Sequence, residues 1–175
     1  PRPGLSEKPP LIIGSLVHLA LAQHYARMKQ EQEGRNPNEY EEPIESVRLV
    51  AEVQKHQKYV PNVVETYTAY ASHYWQDIHE RRIHSVETLF EGSLIDRMRS
   101  RPEVNGLDPS LFRLTGRIDL MYYDLGGQLW AEDTKTTGRM VAKHKEYFAI
   151  SGQLLGYEFL TRQKYPDLAG FRINL

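Results

Sequence analysis

Residues 116–136 read GRIDLMYYDLGGQLWAEDTKT, and this stretch decides the fold. Apolar and β-branched or aromatic residues lie on both sides of the tetrapeptide DLGG at residues 124–127. An acidic residue and a pair of glycines within four residues between two such runs are typical of a hairpin turn. We therefore predict two antiparallel strands, over residues 112–123 and 128–136, joined by a tight turn.

Three side chains of this hairpin carry charge and chemistry: Asp119 on the first strand, and Asp133 and Lys135 on the second. Because side chains alternate along a strand, Asp133 and Lys135 share one face and Glu132 points to the other. If Asp119 lies opposite Asp133, their Cβ atoms are about 4.5–5.5 Å apart. Two carboxylates at that distance suit a divalent cation with oxygen ligands, such as Mg²⁺. The alternative is an exposed hairpin on which an aspartate and a lysine form a surface ion pair.

The length of the hairpin loop decides which acid faces Asp119. A two-residue loop would leave Asp133 behind the sheet, on the face away from Asp119. A three-residue loop, over residues 125–127, places the two aspartates opposite each other and turns Glu132 away. Such loops commonly end in a residue with positive φ, which Gly127 supplies at no steric cost. The metal-site interpretation requires this three-residue loop, or a compensating bulge between the turn and the site. We expect the Asp119 and Asp133 carboxylates to converge and Glu132 to face away.

The remaining sequence predicts an α+β fold with a mixed central sheet and helices packed on it. Helical periodicity covers residues 11–33, 44–57, 63–79 and 143–163, and strand-like patterns cover residues 83–90 and 171–175. Residues 1–10 contain four prolines and are expected to form a tail or linker. Residues 11–175 are expected to form one domain, and a truncation at the C-terminus is left open.

Composition excludes several classes of protein. The chain of 175 residues has 22 basic and 23 acidic side chains, so a nucleic-acid site would have to be local. It has no cysteine, which excludes disulfides, thiolate zinc sites, cysteine-ligated iron–sulfur clusters and cysteine nucleophiles. No apolar run is long enough to span a membrane, so we expect no membrane partner. These features fit an intracellular protein.

Two pairs of residues with helical spacing flank the hairpin in the sequence. Gly14 and His18 are one helical turn apart, as are Gln153 and Tyr157. Gly14 would let another element, or DNA, approach closely, and the alternative is that His18 is a helix-surface or core histidine with no ligand role. Gln153 and Tyr157 could contact one partner together, and the alternative is ordinary helix packing. Three basic side chains after Lys135 could contact a DNA backbone, although a solvated helix start is an equal alternative: Arg139, Lys143 and Lys145.

Four motifs in sequence order resemble the RecB-type exonuclease branch of the PD-(D/E)XK nuclease superfamily. They are Gly-x-x-x-His at residues 14–18, Gly-Arg-Ile-Asp at 116–119, Glu-Asp-Thr-Lys-Thr-Thr at 132–137 and Gln-x-x-x-Tyr at 153–157. The resemblance extends over about residues 11–175 and implies a single nuclease-like domain with a restriction-endonuclease-like core. Several relatives hold an iron–sulfur cluster with four cysteines, which this chain cannot do.

The resemblance also implies roles for individual residues. It implies Lys135 as the catalytic lysine and Gln153 and Tyr157 as a helical signature near the active site. It implies Mg²⁺ or Mn²⁺ as the cofactor, with four metal ligands: His18, Asp119, Asp133 and the carbonyl oxygen of Thr134.

The function that follows from this resemblance is metal-dependent hydrolysis of DNA. The branch implies an exonuclease that acts on DNA ends or single strands in replication, recombination or repair, with a helicase or recombination protein as partner. It also favours a bacterial or phage cytoplasm over a mitochondrion. Two alternatives remain open: a catalytically inactive nucleic-acid-binding module on the same fold, and a plain structural α+β domain.

Overall fold

The computed structural model describes residues 8–39, 41–93, 106, 108, 113–136 and 152–174. These ranges contain four strands, β1 Arg82–Ser93, β2 Arg113–Tyr123, β3 Leu129–Thr134 and β4 Gly170–Asn174. They also contain five α-helices, α1 Pro9–Gln32, α2 Pro43–Val53, α3 Val60–His73, α4 Asp77–Glu80 and α5 Gly152–Lys164. Short 3-10 turns cover Pro37–Glu39 and Gln57–Tyr59.

The four strands form one mixed sheet in the order β1-β2-β3-β4. β2 runs antiparallel to both β1 and β3, whereas β4 runs parallel to β3. The hairpin predicted from sequence forms the centre of this sheet. The predicted α+β class with a mixed central sheet is therefore confirmed.

Helices α1, α2 and α3 share one apolar core. Along α1, buried side chains recur at three- and four-residue steps, and they pack against Val47, Ala51 and Val63 of the two following helices. α1 begins at Pro9, two residues before the predicted start. Proline suits the first turn of a helix because its missing N–H would have no partner there. Residues 1–7 lie outside the described residues, so the expected tail remains a prediction.

The two faces of the sheet are covered by different helices. Leu120 and Tyr122 of β2 pack with Tyr25 and Met28 of α1. Met121, which lies between them, packs with Leu160 of α5 in a separate cluster. Because adjacent residues of a strand point to opposite faces, α1 and α5 lie on opposite sides of the sheet.

The hairpin turn has the predicted three-residue loop. The Asp124 N–H donates to the Gln128 carbonyl at 3.0 Å, and the φ angle of Gly127 is 75°. The ladder beyond it pairs Tyr123 with Leu129 and continues in register to Leu120 and Glu132. The predicted register is therefore confirmed.

The helix boundaries differ more from their predicted positions than the strand boundaries do. The predicted helix over residues 63–79 is divided: α3 ends at His73, and the short helix α4 follows at Asp77. The predicted start of the last helix at residue 143 lies outside the described residues. Among the helices that are described, none is both long enough and apolar enough to cross a membrane.

Candidate active site

Asp119 lies where the pairing between β2 and β3 ends. The last paired residues are Leu120 and Glu132, and the next cross-strand positions would be Asp119 and Asp133. There the backbone N–H of Thr134 donates to Asp119 Oδ2 at 2.8 Å. The Asp119 carboxylate thus accepts a backbone hydrogen bond where the β-ladder ends, and this bond fixes its position.

Both β2 and the neighbouring strand β1 depart from regular strand geometry near Asp119. Ile118 and Met121 belong to the same apolar cluster although they are three residues apart, so the alternation of β2 changes phase between them. On β1, Glu87 has a φ angle of 49°, and no pairing joins it to Asp119 although its neighbours Val86 and Thr88 are paired with β2. A glutamate in the left-handed region is strained, and such strain is characteristic of functional sites.

Three side chains from three elements converge at this irregularity. His18 of α1 lies with Nδ1 3.3 Å from Asp119 Oδ2. His18, Glu87 and Asp119 each offer one ligand atom, and these atoms all lie within 4.8 Å of one another. One imidazole nitrogen and two carboxylate oxygens form a donor set that suits a divalent cation such as Mg²⁺ or Mn²⁺.

Asp133 and Lys135 form a second charged pair beside this cluster. Lys135 Nζ lies 2.7 Å from Asp133 Oδ2, and the Asp133 side chain is only 3% exposed. This oxygen is buried, and no described group hydrogen-bonds to it with good geometry. Burial raises the pKa of Asp133, and the negative charge of Asp119 raises it further, against the opposing effect of Lys135. A buried carboxylate with spare acceptor capacity beside a second carboxylate suits a cation.

The pKa shifts of His18 and Glu87 also favour a cation at this cluster. The hydrogen bond to Asp119 raises the pKa of His18, although burial opposes it. Burial raises the pKa of Glu87, and the negative charge of Asp119 adds to that effect. Arg117 compensates part of this charge, with Nε 2.9 Å from Glu87 Oε2. Carboxyl groups with raised pKa values, here Glu87 and Asp133, are those that a cation would stabilise in the ionised form.

These groups face a cavity of about 580 Å³ between α1 and the sheet. Its lining includes His18, Glu87, Asp119 and Lys135. At its edge, a Cβ atom on Gly14 would lie only 2.9 Å from Thr136 Oγ1. The glycine one turn before His18 therefore lets α1 approach the end of β3.

Glu132 lies on the other side of β3, as predicted. Its carboxylate contacts the Arg81 guanidinium at 3.1 Å and accepts a hydrogen bond from Asn174 Nδ2 at 3.3 Å. Burial raises its pKa against the opposing charge of Arg81. This acid belongs to a buried network behind the active-site face, and it is a structural group.

The helical pair Gln153 and Tyr157 lies apart from the cluster. Gln153 Nε2 donates to the Tyr157 hydroxyl at 2.8 Å, and the Tyr157 ring packs against Gly116 of β2. Neither residue is among the described residues that line the 580 Å³ cavity. The three basic candidates for DNA contact lie outside the described residues: Arg139, Lys143 and Lys145.

Sequence reasoning missed two features of the site. Glu87 was placed on a strand but was given no role, and only its backbone geometry and its neighbours reveal one. The Arg81 network was also missed, because nothing in the local pattern indicates that Arg81 lies under Glu132, 51 residues later. An arginine directly after a short helix carries no such signal in a single sequence.

Comparison with known proteins agrees with this geometry. A search of curated proteins finds none that matches the chain. A family model of the PD-(D/E)XK nuclease superfamily matches residues 2–174, which is nearly the whole sequence. The matched region contains both strands of the hairpin and the histidine, the acids and the lysine brought together at its open end. The chain therefore belongs to the PD-(D/E)XK nuclease superfamily.

Proposed function

We propose that this protein is a divalent-metal-dependent deoxyribonuclease, and specifically an exonuclease that acts on DNA ends or single strands. The superfamily as a whole implies metal-dependent hydrolysis of phosphodiester bonds, and this proposal makes that activity specific. The observation that carries it is the meeting of His18, Asp119 and Lys135 at one open cavity, with the buried Asp133 paired to Lys135. Each would have a distinct task in cutting a phosphodiester.

The ligand set proposed for the cation comprises His18, Asp119, Asp133 and the carbonyl oxygen of Thr134, with Glu87 as a further carboxylate. A bound Mg²⁺ or Mn²⁺ would polarise the scissile phosphate and lower the pKa of the attacking water. The residues fit such an ion because they combine oxygen donors with one imidazole, and because the ligand atoms of His18, Glu87 and Asp119 all lie within 4.8 Å of one another.

In this proposal Lys135 is the protein side chain that, besides the metal ion, acts directly in catalysis. Its side chain is 26% exposed and lines the cavity, while Asp133 fixes the position of Nζ at 2.7 Å. From there it can orient a water molecule or stabilise the negative charge that develops on the phosphate. Its backbone N–H donates to the Asn174 carbonyl at 2.7 Å, which anchors this residue beyond the last residue of β3.

The finer parts of the proposal concern substrate and context. Gln153 and Tyr157, which do not line the active-site cavity, would contact the DNA strand outside it. Three basic side chains would contact the DNA backbone: Arg139, Lys143 and Lys145. A role in replication, recombination or repair, with a helicase or recombination partner in a bacterial or phage cytoplasm, is part of the same proposal. It rests on the resemblance of the four motifs.

The test is incubation of the purified protein with end-labelled single-stranded and double-stranded DNA in Mg²⁺, Mn²⁺ or EDTA. We expect cleavage in either metal, progressive shortening from an end, and no cleavage in EDTA. A closed circular single strand is the matched control, because an exonuclease leaves it intact. DNA binding without cleavage in any metal would favour an inactive binding module, and neither binding nor cleavage would leave a structural domain.

A further inference from the structure

The backbone of Lys135 is held by the end of β4. β3 ends at Thr134, and its pairing with β2 ends earlier, at Glu132. One residue beyond β3, the Lys135 N–H donates to the carbonyl of Asn174 at 2.7 Å. Asn174 is the last residue of β4, which lies at one edge of the described sheet. The end of an edge strand is among the first parts of a sheet to open, so this anchor needs support of its own.

Lys135 has open space on two sides. It lines the active-site cavity, and it also lines a second cavity of about 590 Å³ between α1 and α3. Tyr70, Tyr74 and Asn174 contribute to the lining of this second cavity. Among the described residues, close packing therefore does not enclose Lys135. Its position depends instead on directed bonds, which are the ion pair with Asp133 and the hydrogen bond to the Asn174 carbonyl.

The side-chain amide of Asn174 is fully hydrogen-bonded. Its Oδ1 accepts a hydrogen bond from the Tyr74 hydroxyl at 2.9 Å. Its Nδ2 donates to the Tyr70 hydroxyl at 2.8 Å and to Glu132 Oε1 at 3.3 Å. An amide has two N–H donors and one acceptor oxygen, so each of these groups has a partner. The residue is only 9% exposed, so water competes little for these bonds.

The two tyrosines connect Asn174 to the helical layer. Tyr70 lies in α3 and Tyr74 directly follows that helix, one turn later, and the centroids of their rings are 4.5 Å apart. The Tyr70 hydroxyl also lies 2.9 Å from the hydroxyl of the buried Tyr25 in α1. The side chain of Asn174 thus joins the end of the edge strand to two packed helices.

We propose that Asn174 is a positioning residue for Lys135. Its side-chain amide, held by two tyrosines and a glutamate, fixes the end of β4. Its main-chain carbonyl in turn fixes the backbone of Lys135 beside the active-site cavity. A displacement of about 1 Å in a group that acts on the transition state can lower the rate about a hundredfold, so this support matters for catalysis. The inference deepens the proposed nuclease function and rests on it for the role of Lys135.

The first test measures the anchor itself, by amide hydrogen exchange followed by NMR in the metal-free protein. We expect Asn174→Ala to accelerate exchange of the Lys135 N–H roughly tenfold, because the carbonyl that accepts it is no longer held in place. The Thr134 N–H is the internal control, since it donates to Asp119 Oδ2 at 2.8 Å and should be affected less. Equal acceleration of both amides, or no acceleration at Lys135, would overturn the inference.

A smaller change tests the same path without removing the asparagine. Tyr74→Phe keeps the ring and removes only the hydroxyl that donates to Asn174. Tyr67→Phe is the matched control, because Tyr67 lies in α3 and loses a hydroxyl that is 3.1 Å from His24 Nδ1. We expect Tyr74→Phe to accelerate exchange of the Lys135 N–H roughly threefold and Tyr67→Phe to leave it unchanged. The same exchange rate in both variants would count against the proposed path.

The second test is kinetic and separates positioning from a general loss of structure. We expect Asn174→Ala to lower kcat for DNA cleavage roughly tenfold and to leave KM and the affinity for Mn²⁺ unchanged, because only Lys135 is displaced. Tyr67→Phe should keep the wild-type kcat. A loss of folding stability with no change in kcat would overturn the inference. So would a parallel loss of kcat and of Mn²⁺ affinity by calorimetry, since the whole site would then have moved.

The two levels of the proposal fail separately. If the wild-type protein cleaves no DNA in Mn²⁺ while exchange at Lys135 still depends on the Asn174 side chain, the nuclease function fails and the anchoring of Lys135 stands. If DNA is cleaved and exchange at Lys135 in Asn174→Ala matches that of the wild type, the positioning role fails and the nuclease function stands.

Discussion

Asp133 lies on β3 and Lys135 directly follows that strand, and the two side chains differ in exposure and in proposed role. The aspartate is buried and the lysine is about a quarter exposed, so one group is protected from water and the other can reach a substrate. Removing one partner from such a pair leaves the other with an uncompensated charge. The two residues should therefore fail in different ways when each is changed alone.

Asp133→Asn and Lys135→Met separate metal binding from catalysis. We expect both variants to lose DNA cleavage by roughly a hundredfold or more, because each removes a group proposed to act on the transition state. Only Asp133→Asn should also lose Mn²⁺ affinity, measured by calorimetry. Lys58→Met, at an exposed position, is the control. Cleavage close to wild-type by either active-site variant would contradict the assignment.

His24 makes folding stability depend on pH. Burial lowers its pKa below the usual value, and its Nδ1 lies 3.1 Å from the Tyr67 hydroxyl. Because the unfolded chain binds this proton more tightly than the folded one, the stabilisation is complete above about pH 6.5 and is lost as the pH falls through the folded-state pKa. We expect His24→Gln to lose less stability than the wild type between about pH 7.5 and about pH 5. Urea unfolding at each pH measures the free energy of unfolding. An identical change of that free energy with pH in both proteins would refute the prediction.

Single residues were predictable from sequence only where the local pattern determined them. Asp119, Asp133 and Lys135 follow from strand alternation and from the three-residue loop, and that register is confirmed. Glu87 was not predictable as a member of the cluster, because its left-handed backbone arises from the meeting of β1 with β2. Distant packing, rather than local propensity, decides such a conformation.

Elements were predictable to the extent that their signals are local. The hairpin carries its turn chemistry in the sequence DLGG, so both its strands and its loop were predicted. The break between α3 and α4 has no comparable signal, because residues 74–76 include neither proline nor glycine. There the contacts of Asp77 with Tyr25 and Arg81 accompany a new helix start that periodicity alone does not indicate.

The packing of α5 on β2 depends on Gly116. A Cβ atom at this position would lie 2.5 Å from two ring carbons of Tyr157, so the ring needs the space that glycine leaves. We expect Gly116→Ala to destabilise the fold by about 1–3 kcal/mol, as measured by denaturant unfolding. Gly152→Ala is the matched control in α5, since a Cβ there meets no atom within 4 Å.

A double variant identifies the cause of that loss. In Gly116→Ala combined with Tyr157→Leu, the smaller side chain makes room for the added methyl group. The combined loss of stability should then be smaller than the sum of the two single losses, because the two positions are in contact. Additive losses would show that the ring is not what Gly116 accommodates.

At the scale of the whole molecule, a buried polar network joins the helical layer to the sheet. Arg81 follows α4 and contacts Asp77 at 3.1 Å and Glu132 of β3 at 3.1 Å. Asn174 of β4 donates to both Glu132 and the Tyr70 hydroxyl of α3. This network lies directly behind the strand that presents Asp133, so the stability of the fold and the geometry of the site share one support.

Arg81→Leu tests whether this network holds the layers together. The Arg81 side chain is 13% exposed, and those of its partners Asp77 and Glu132 are 5% and 3% exposed, so the substitution leaves two buried carboxylates without their cation. We expect the free energy of unfolding to fall by about 3–5 kcal/mol. The same substitution at Arg48, whose pair with Glu45 is largely exposed, should cost no more than about 1 kcal/mol. Equal losses for the two arginines in denaturant unfolding would mean that the layers are held by apolar packing alone.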